Sequence, residues 1–163
     1  IEVCKHRSIR CMFRGSFAGA RPQVFVRGDG VVAGGGAGRA IIDALCNAGA
    51  ANIIIEDTDG ARLAQTLALV EQFWPNTSIG DKGPADIVID ATPNGKNANA
   101  APLLAPEVVS GCKAICDIAG QHGQSQLLNT AKQMKKIAID ASDMGYCQVQ
   151  AQMAFLFQNQ TAF

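Results

Sequence analysis

The chain has 163 residues, a formal net charge of zero, 48% hydrophobic and 17% charged residues. This composition is globular and excludes intrinsic disorder, and the length predicts one domain with an appended segment. Aromatic residues make up only 6% while there are 17 glycines, which favours helix-on-sheet packing over a β-sandwich. No apolar run reaches the roughly 18 residues of a membrane span, so no membrane contact is expected.

Charge and cysteine content constrain the setting of the protein. Residues 1–30 hold six Lys/Arg against two acids, and residues 31–163 hold eight against twelve. An acidic main body is a poor signature of nucleic-acid binding, so no nucleic-acid partner is expected. None of the six cysteines forms Cys-x-x-Cys or lies at zinc-ligand spacing from a histidine. No metal is therefore predicted, and free thiols in the reducing cytoplasm are expected. The first residue is Ile rather than Met, which indicates a fragment or a processed form.

The predicted elements alternate between strand and helix. Residues 1–30 are predicted to be an arm or connecting segment, with a candidate short strand at Gln23–Arg27, and residues 31–163 the domain. The main strands are predicted at Val31–Ala33, Asn52–Glu56, Thr77–Ile79, Asp86–Ala91, Ala114–Ile118 and Ile137–Asp140. Helices are predicted at 37–48, ended by Gly49, at 60–73, ended by Pro75, at 124–134 and at 145–157. This alternation predicts an α/β fold with a doubly wound, mostly parallel six-stranded sheet.

A glycine cluster separates the first predicted strand from the first helix. Interpreted as G-x-G-x-x-G, its three positions are Ala33, Gly35 and Gly38, so the first glycine is replaced. Gly35 lets a pyrophosphate approach the backbone, and Gly38 lets the helix pack closely on the strand. The N–H groups of the helix N-terminus then face the phosphates. The cluster predicts a Rossmann-like dinucleotide site formed by Gly34, Gly35, Gly36, Ala37, Gly38 and Arg39.

An acidic residue follows the cluster at an informative distance. Asp57 lies 19 residues after Gly38, at the end of the second strand, where an acid receives the ribose hydroxyls of NAD. A carboxylate there repels a 2′-phosphate, so NAD is favoured over NADP as the cofactor. Arg62 is the nearest basic residue and leaves NADP open as the alternative. A glycine-rich turn followed by solvated acids is the structural alternative to this interpretation.

From Val31 to Phe157 the sequence resembles the C-terminal, nucleotide-binding domain of shikimate and quinate dehydrogenases. Gly35–Ala40 is similar to the family's glycine-rich turn, and Asp86–Gly95 resembles its fourth strand with the following Thr-Pro-x-Gly turn. Glu56-Asp57-Thr58 stands where the family has Asn-Arg-Thr, whose Arg receives the NADP phosphate, so this site resembles the NAD-using branch. The resemblance implies an NAD-dependent oxidoreductase that transfers hydride between nicotinamide and a cyclic hydroxy acid.

The resemblance also implies roles at the other strand ends. Cys116-Asp117-Ile118 is similar to the family's fifth strand, and Asp140–Gln148 resembles its final Asp-Gly-x-x-Met-Leu-x-x-Gln motif. Met144 is thereby placed near the nicotinamide and Gln148 at a substrate hydroxyl; a core methionine and a solvent-facing glutamine are the alternatives. Asp117 and Asp140 either face a ligand or cap the following helices. Further cofactor contacts are predicted at Thr58, Thr92, Pro93, Asn94 and Ile118.

The sequence departs from the family on the substrate side. Gly120 stands where the family has Tyr, His122 where it has Pro, and Gly145 where it has Leu. The family's catalytic Lys–Asp pair belongs to an N-terminal substrate domain, so the catalytic residues are left unassigned. One interpretation is the cofactor domain of an enzyme with a small-molecule substrate, whose substrate domain is missing from this chain or whose site is completed in a homodimer. The alternative is a stand-alone or inactive dinucleotide-binding module.

Overall fold

Strands and helices alternate in the structure, a computed structural model that describes residues 23–27, 36–80, 84–93, 104, 106–119 and 125–158. The strands are β1 (Gln23–Arg27), β2 (Asn52–Glu56), β3 (Ser78–Ile79), β4 (Ile87–Asp90), β5 (Ala114–Asp117) and β6 (Ile137–Asp140). The helices are α1 (Gly36–Asn47), α2 (Gly60–Phe73), α3 (Pro106–Gly111), α4 (Gln126–Gln133) and α5 (Ala141–Gln158).

The described strands form one sheet in the order β3-β2-β1-β4-β5-β6. Every neighbouring pair is parallel. The chain first moves outward from β1 to β3 and then returns to start again at β4 on the other side of β1. This is the doubly wound order of dinucleotide-binding domains, and it confirms the fold class predicted from the alternation of strands and helices.

Helices cover both faces of the sheet, which explains why its strands lack a polar face. Ile53 and Ile55 of β2 belong to the hydrophobic cluster with α1 and α2, whereas Ile54 between them belongs to the cluster with α3 and α4. Since successive side chains of a strand point to opposite faces, both faces of β2 are buried. Val88 and Ile115 are both fully buried in the second cluster. The parallel sheet therefore forms the centre of a three-layer structure.

In the described residues, the strand before the glycine cluster is Gln23–Arg27, which the sequence predicts as a candidate short strand. Val31–Ala33 lies outside the described residues, and Gln23–Arg27 occupies the sheet position between β2 and β4. All five residues of β1 are in register with β2, which a three-residue strand does not offer. The sheet thus includes Gln23–Arg27, which precedes the predicted boundary between residues 30 and 31.

Glycine ends the first helix as predicted. Gly49 has a φ of 92°, in the left-handed region that favours glycine. Its N–H donates to the Cys46 carbonyl at 2.9 Å, and the Ala50 N–H donates to the Leu45 carbonyl at 3.1 Å. These two bonds satisfy the last carbonyls of α1 and form a Schellman motif. The chain is thereby directed from α1 into β2.

The last third of the chain differs in detail from the prediction. Helix α3 was not predicted, because six residues are too few to show a helical period. Helix α5 begins at Ala141 rather than at residue 145, directly after β6. Its side chains Tyr146, Val149, Met153 and Phe157 are exposed, so α5 contributes less to the core than α1. In the described part of the chain, no helix has the length and apolarity that crossing a bilayer requires.

Candidate functional site

The candidate site lies at the carboxyl ends of β1 and β4. Strand order reverses between these two strands, and ligands of open α/β sheets bind outside the carboxyl ends at such a point. Helix α1 follows β1 here and begins with Gly36, Ala37 and Gly38. The first four N–H groups of a helix have no partner within it and carry the positive end of the helix dipole. The N-terminus of α1 therefore suits an anion, while Gly34 and Gly35 lie outside the described residues.

Aspartates stand at four of the strand ends along this edge, and all four form the same turn. Each Oδ1 accepts the backbone N–H two residues further on, at distances from 2.7 to 3.1 Å, in Asp57, Asp90, Asp117 and Asp140. This Asx turn redirects the chain after a parallel strand. Asp90 is in register with Asp117, and Asp117 with Asp140, so three carboxylates stand on adjacent strands.

Burial separates these aspartates into two groups. Asp90 and Asp117 are only 3% and 1% exposed. Asp57 and Asp140 are half-buried and reach the surface. Asp140 also accepts the Asp143 N–H at 3.0 Å, and Asp143 Oδ2 accepts the Asp140 N–H at 3.1 Å. Asp140 therefore caps α5, which is one of the two roles that the sequence left open for this residue. The Asp117 carboxylate instead closes the turn that follows β5.

Asp57 lies at the carboxyl end of β2, next to the strand that leads into α1. Its Oδ1 accepts the Asp59 N–H at 2.8 Å, which fixes the carboxylate at the start of the turn. Asp59 in turn caps α2 by accepting the N–H groups of Ala61 and Arg62 at 3.0 and 3.1 Å. Thr58 between the two aspartates is exposed. The turn thus presents a carboxylate and a hydroxyl-bearing residue at the end of β2, the strand paired with β1.

The residues after β4 and β5 line the middle of the edge. Thr92 is 2% exposed, so its side chain is packed at the end of β4, while Pro93 is exposed. Ile118 packs against the cluster under α1 and α2, and its N–H donates to the Asp90 carbonyl at 3.0 Å. Asn94 lies outside the described residues.

Met144 and Gln148 lie on α5, which starts at the end of β6. Both are half-buried, and their spacing of four residues places them on one face of the helix. Neighbouring strands are about 4.8 Å apart, so the edge from the end of β2 to the end of β6 spans four intervals, about 19 Å. Asp57 therefore follows β2 near one end of this edge, and Met144 lies on the helix that follows β6 at the other end.

A buried thiol lies beneath the row of carboxylates. Burial raises the pKa of Cys116 far above its ordinary value, and the charges of Asp117, Asp143, Asp140 and Asp90 raise it further. Cys116 therefore stays protonated at neutral pH and is not a nucleophile. Its role is that of a small apolar side chain in the sheet.

Arg39 tests whether a dinucleotide fits at the start of α1. Its terminal Nη2 donates to Gln65 Oε1 of α2 at 3.1 Å. Its Nε is buried and has no hydrogen-bond partner in the structure. An orphaned cationic donor in the first turn of this helix fits a ligand that carries acceptor oxygens, as a pyrophosphate does. Asp57 and the glycine start of α1 fit the same ligand.

The contacts of two residues in this region are visible only in the structure. Asp59 was not predicted as a site residue from the sequence, although it stands directly before α2, where Asp is a common helix cap. Gln65 was not found either, because it meets Arg39 only when α1 and α2 pack side by side.

Comparisons with known proteins agree with the fold. No family model and no curated protein matches the sequence. Among solved structures, the chain is similar to quinate dehydrogenase from Corynebacterium glutamicum in complex with NAD, with 20% identity and a TM-score of 0.70 over 90% of this chain and 53% of that one. It is similar to 5-ketofructose reductase of Gluconobacter sp. strain CHM43, with 24% identity and a TM-score of 0.69 over 89% and 54%.

A third solved structure is shikimate dehydrogenase from Mycobacterium tuberculosis, with 14% identity and a TM-score of 0.69 over 91% of this chain and 55% of that one. The chain thus spans about half the length of each of these three proteins. The part that it matches is their C-terminal domain, so the resemblance inferred from the sequence is confirmed at the level of the fold.

Proposed function

We propose that this chain is the dinucleotide-binding domain of an NAD-dependent oxidoreductase that acts on a cyclic hydroxy acid. The observation that carries the proposal is the half-buried Asp57 carboxylate at the end of β2, the strand paired with β1. In a doubly wound sheet this is where the adenosine ribose and the pyrophosphate of a dinucleotide bind. The fold shared with an NAD complex of a quinate dehydrogenase supports the choice of cofactor.

The residues of this chain would hold the cofactor at two places. The N–H groups at the start of α1, with Gly34–Gly38 and the Arg39 guanidinium, would bind the pyrophosphate. The Asp57 carboxylate would accept hydrogen bonds from the adenosine ribose and repel a 2′-phosphate. NAD, when bound, supplies the hydride-accepting nicotinamide. Thr58, Thr92, Pro93, Asn94 and Ile118 would line the path between these groups and the nicotinamide.

The substrate side would be formed at α5. Met144 would cover the nicotinamide, and Gln148, one turn further along the same face, would hold a substrate hydroxyl. Carboxylate-binding and proton-transfer groups are not assigned within this chain. We propose that they come from a substrate domain or from a second chain, because the solved relatives are about twice as long.

The cysteines support a reducing setting. Within the described residues, no disulfide joins Cys46, Cys112, Cys116 or Cys147. Disulfides form in oxidising compartments, so free thiols fit a protein of the cytoplasm, which is the location that we propose.

The proposal is tested by titrating the purified chain with NADH and NADPH and following their fluorescence. NADH is expected to bind more tightly. Asp57→Ala should lower NADH affinity by about 1–2 kcal/mol, the scale of a hydrogen bond to a charged group. The same change should reduce the preference for NADH over NADPH. Glu71→Ala removes an equal charge from an exposed position late in α2 and should leave both affinities unchanged. Equal or tighter NADPH binding by the wild-type chain would overturn the choice of cofactor.

The glycine cluster provides a second arm of this test. Gly35→Val should abolish dinucleotide binding, because the valine side chain would fill the space that the pyrophosphate needs. The circular dichroism spectrum of the variant should match that of the wild type. A folded Gly35→Val chain that binds NADH normally would show that the cluster is only a turn.

A further inference from the structure

The start of α2 holds one cation beside the predicted ribose site. Arg62 Nε lies 3.2 Å from Asp59 Oδ2, and both side chains are less than half exposed, at 43% and 41%. The other carboxylate oxygen, Oδ1, accepts the backbone N–H of Arg62 at 3.1 Å. Asp59 therefore contacts Arg62 through both of its oxygens, once at the backbone and once at the guanidinium.

Asp59 also contacts the residue that faces the ribose. Its own N–H donates to Asp57 Oδ1 at 2.8 Å. One turn thus joins a carboxylate that repels a 2′-phosphate to Arg62, the next basic residue along the chain. Because Asp59 is paired with Arg62, an approaching phosphate meets a neutral ion pair rather than a free guanidinium.

We propose that Asp59 is a positioning residue that sets the preference for NAD over NADP by holding the Arg62 guanidinium in an ion pair. This inference rests on the proposed function and extends it to a second residue of the same site. Asp57 acts by direct repulsion, whereas Asp59 acts through Arg62. The chain therefore rejects a 2′-phosphate in two ways, and removal of either carboxylate weakens the rejection.

The test separates the charge of Asp59 from its capping role. Asn caps a helix as well as Asp does, so Asp59→Asn keeps the bonds to Ala61 and Arg62 and loses only the ion pair. NADPH affinity relative to NADH is expected to rise about three- to five-fold, the range of one exposed ion pair. The melting temperature should stay unchanged. Asp59→Ser, which also caps, gives the same measurement if the Asn variant folds poorly.

A double variant shows whether the effect passes through Arg62. In an Arg62→Gln background, Asp59→Asn should change the NADPH to NADH ratio by less than about two-fold, because there is no guanidinium left to release. The same gain in both backgrounds, or no gain in either, would overturn the inference. If neither nucleotide binds the wild-type chain or Asp59→Asn, the proposed function itself fails and the inference fails with it. Tight NADH binding with an unchanged ratio rejects the inference alone.

Discussion

At the scale of single residues, burial decides which of four similar aspartates can serve a ligand. Asp57, Asp90, Asp117 and Asp140 all follow strands and all close an Asx turn. Asp90 and Asp117 are buried at 3% and 1% exposure, and Asp140 is engaged in capping α5. Asp57 is the one of the four that is both half-buried and placed at the end of a strand paired with β1, which is why the cofactor proposal is argued from it.

Burial also controls the reactivity of the thiols. Burial raises the pKa of Cys46 from its ordinary 9.0 to about 11, partly opposed by a hydrogen bond with Thr77. Cys147 is only half-buried. Iodoacetamide at pH 8 is expected to label Cys147 well before Cys46, as followed by mass spectrometry of tryptic peptides. Labelling of Cys46 at a rate equal to that of Cys147 would contradict the burial of α1.

The same shift predicts a dependence of stability on pH. Between pH 9 and 11 the unfolded chain loses the Cys46 proton while the folded chain keeps it, so the free energy of unfolding falls as pH rises. The stability that comes from keeping Cys46 protonated is fully present below pH 9 and is lost as the pH rises through about 11. Cys46→Ala should show a shallower fall over this interval than the wild type in urea titrations. Parallel curves for the two proteins would show that Cys46 does not hold its proton.

At the scale of elements, short polar contacts determine where helices begin. Asp59 caps α2, Ser125 caps α4 through the Leu128 N–H at 3.2 Å, and Asp140 caps α5. Each cap satisfies backbone donors that the helix itself cannot. Because Asp140 is both the last residue of β6 and the cap of α5, no loop separates the two elements.

The α5 cap gives a stability prediction. Asp140→Ala removes the acceptor for Ser142 and Asp143 and should lower stability by about 1 kcal/mol. For a chain of this length that is a fall of about 2–4 °C in melting temperature. Asp140→Asn keeps the acceptor and should melt close to the wild type. Glu107→Ala, at an exposed position, is the control for the loss of one negative charge. Equal destabilisation by Ala and Asn would assign the effect to charge rather than to capping.

At the scale of the whole molecule, the proposed function assigns to this domain only one side of a hydride-transfer site. The carboxyl edge of the sheet offers the groups that would hold a dinucleotide from Asp57 to Met144. A polyhydroxylated acid also needs a partner for its carboxylate and a group that accepts the hydroxyl proton. The chain spans about half of the solved relatives, and we place those groups in the other half.

We therefore predict that the chain alone binds NAD but does not oxidise shikimate or quinate. A missing general base typically costs 10²–10⁴-fold in rate, and loss of substrate positioning costs more. NADH absorbance at saturating NAD with either acid is the measurement. Turnover by the isolated chain would show that its own residues supply the missing chemistry. Binding of NAD without turnover, even when a substrate domain is restored, would favour the stand-alone binding module.

The sequence determined the features that depend on neighbours along the chain. The period of apolar residues predicted α1 and α2, and Gly49 ended α1 because only glycine takes a φ of 92° without strain. Unbroken apolar stretches such as Ile53–Ile55 predicted burial on both faces and hence a parallel sheet. The distance from Gly38 to Asp57 placed the acid at the end of β2, where the structure has it.

Only the tertiary structure decided what depends on residues far apart in the chain. Gln23–Arg27 is only a candidate short strand by its sequence, and its pairing with both β2 and β4 showed that it lies inside the sheet. Exposure distinguished Asp57 from Asp90 and Asp117, since solvent access is set by the covering elements and not by local sequence. The contact of Arg39 with Gln65 arose from the packing of two helices, whose relative position no local pattern encodes.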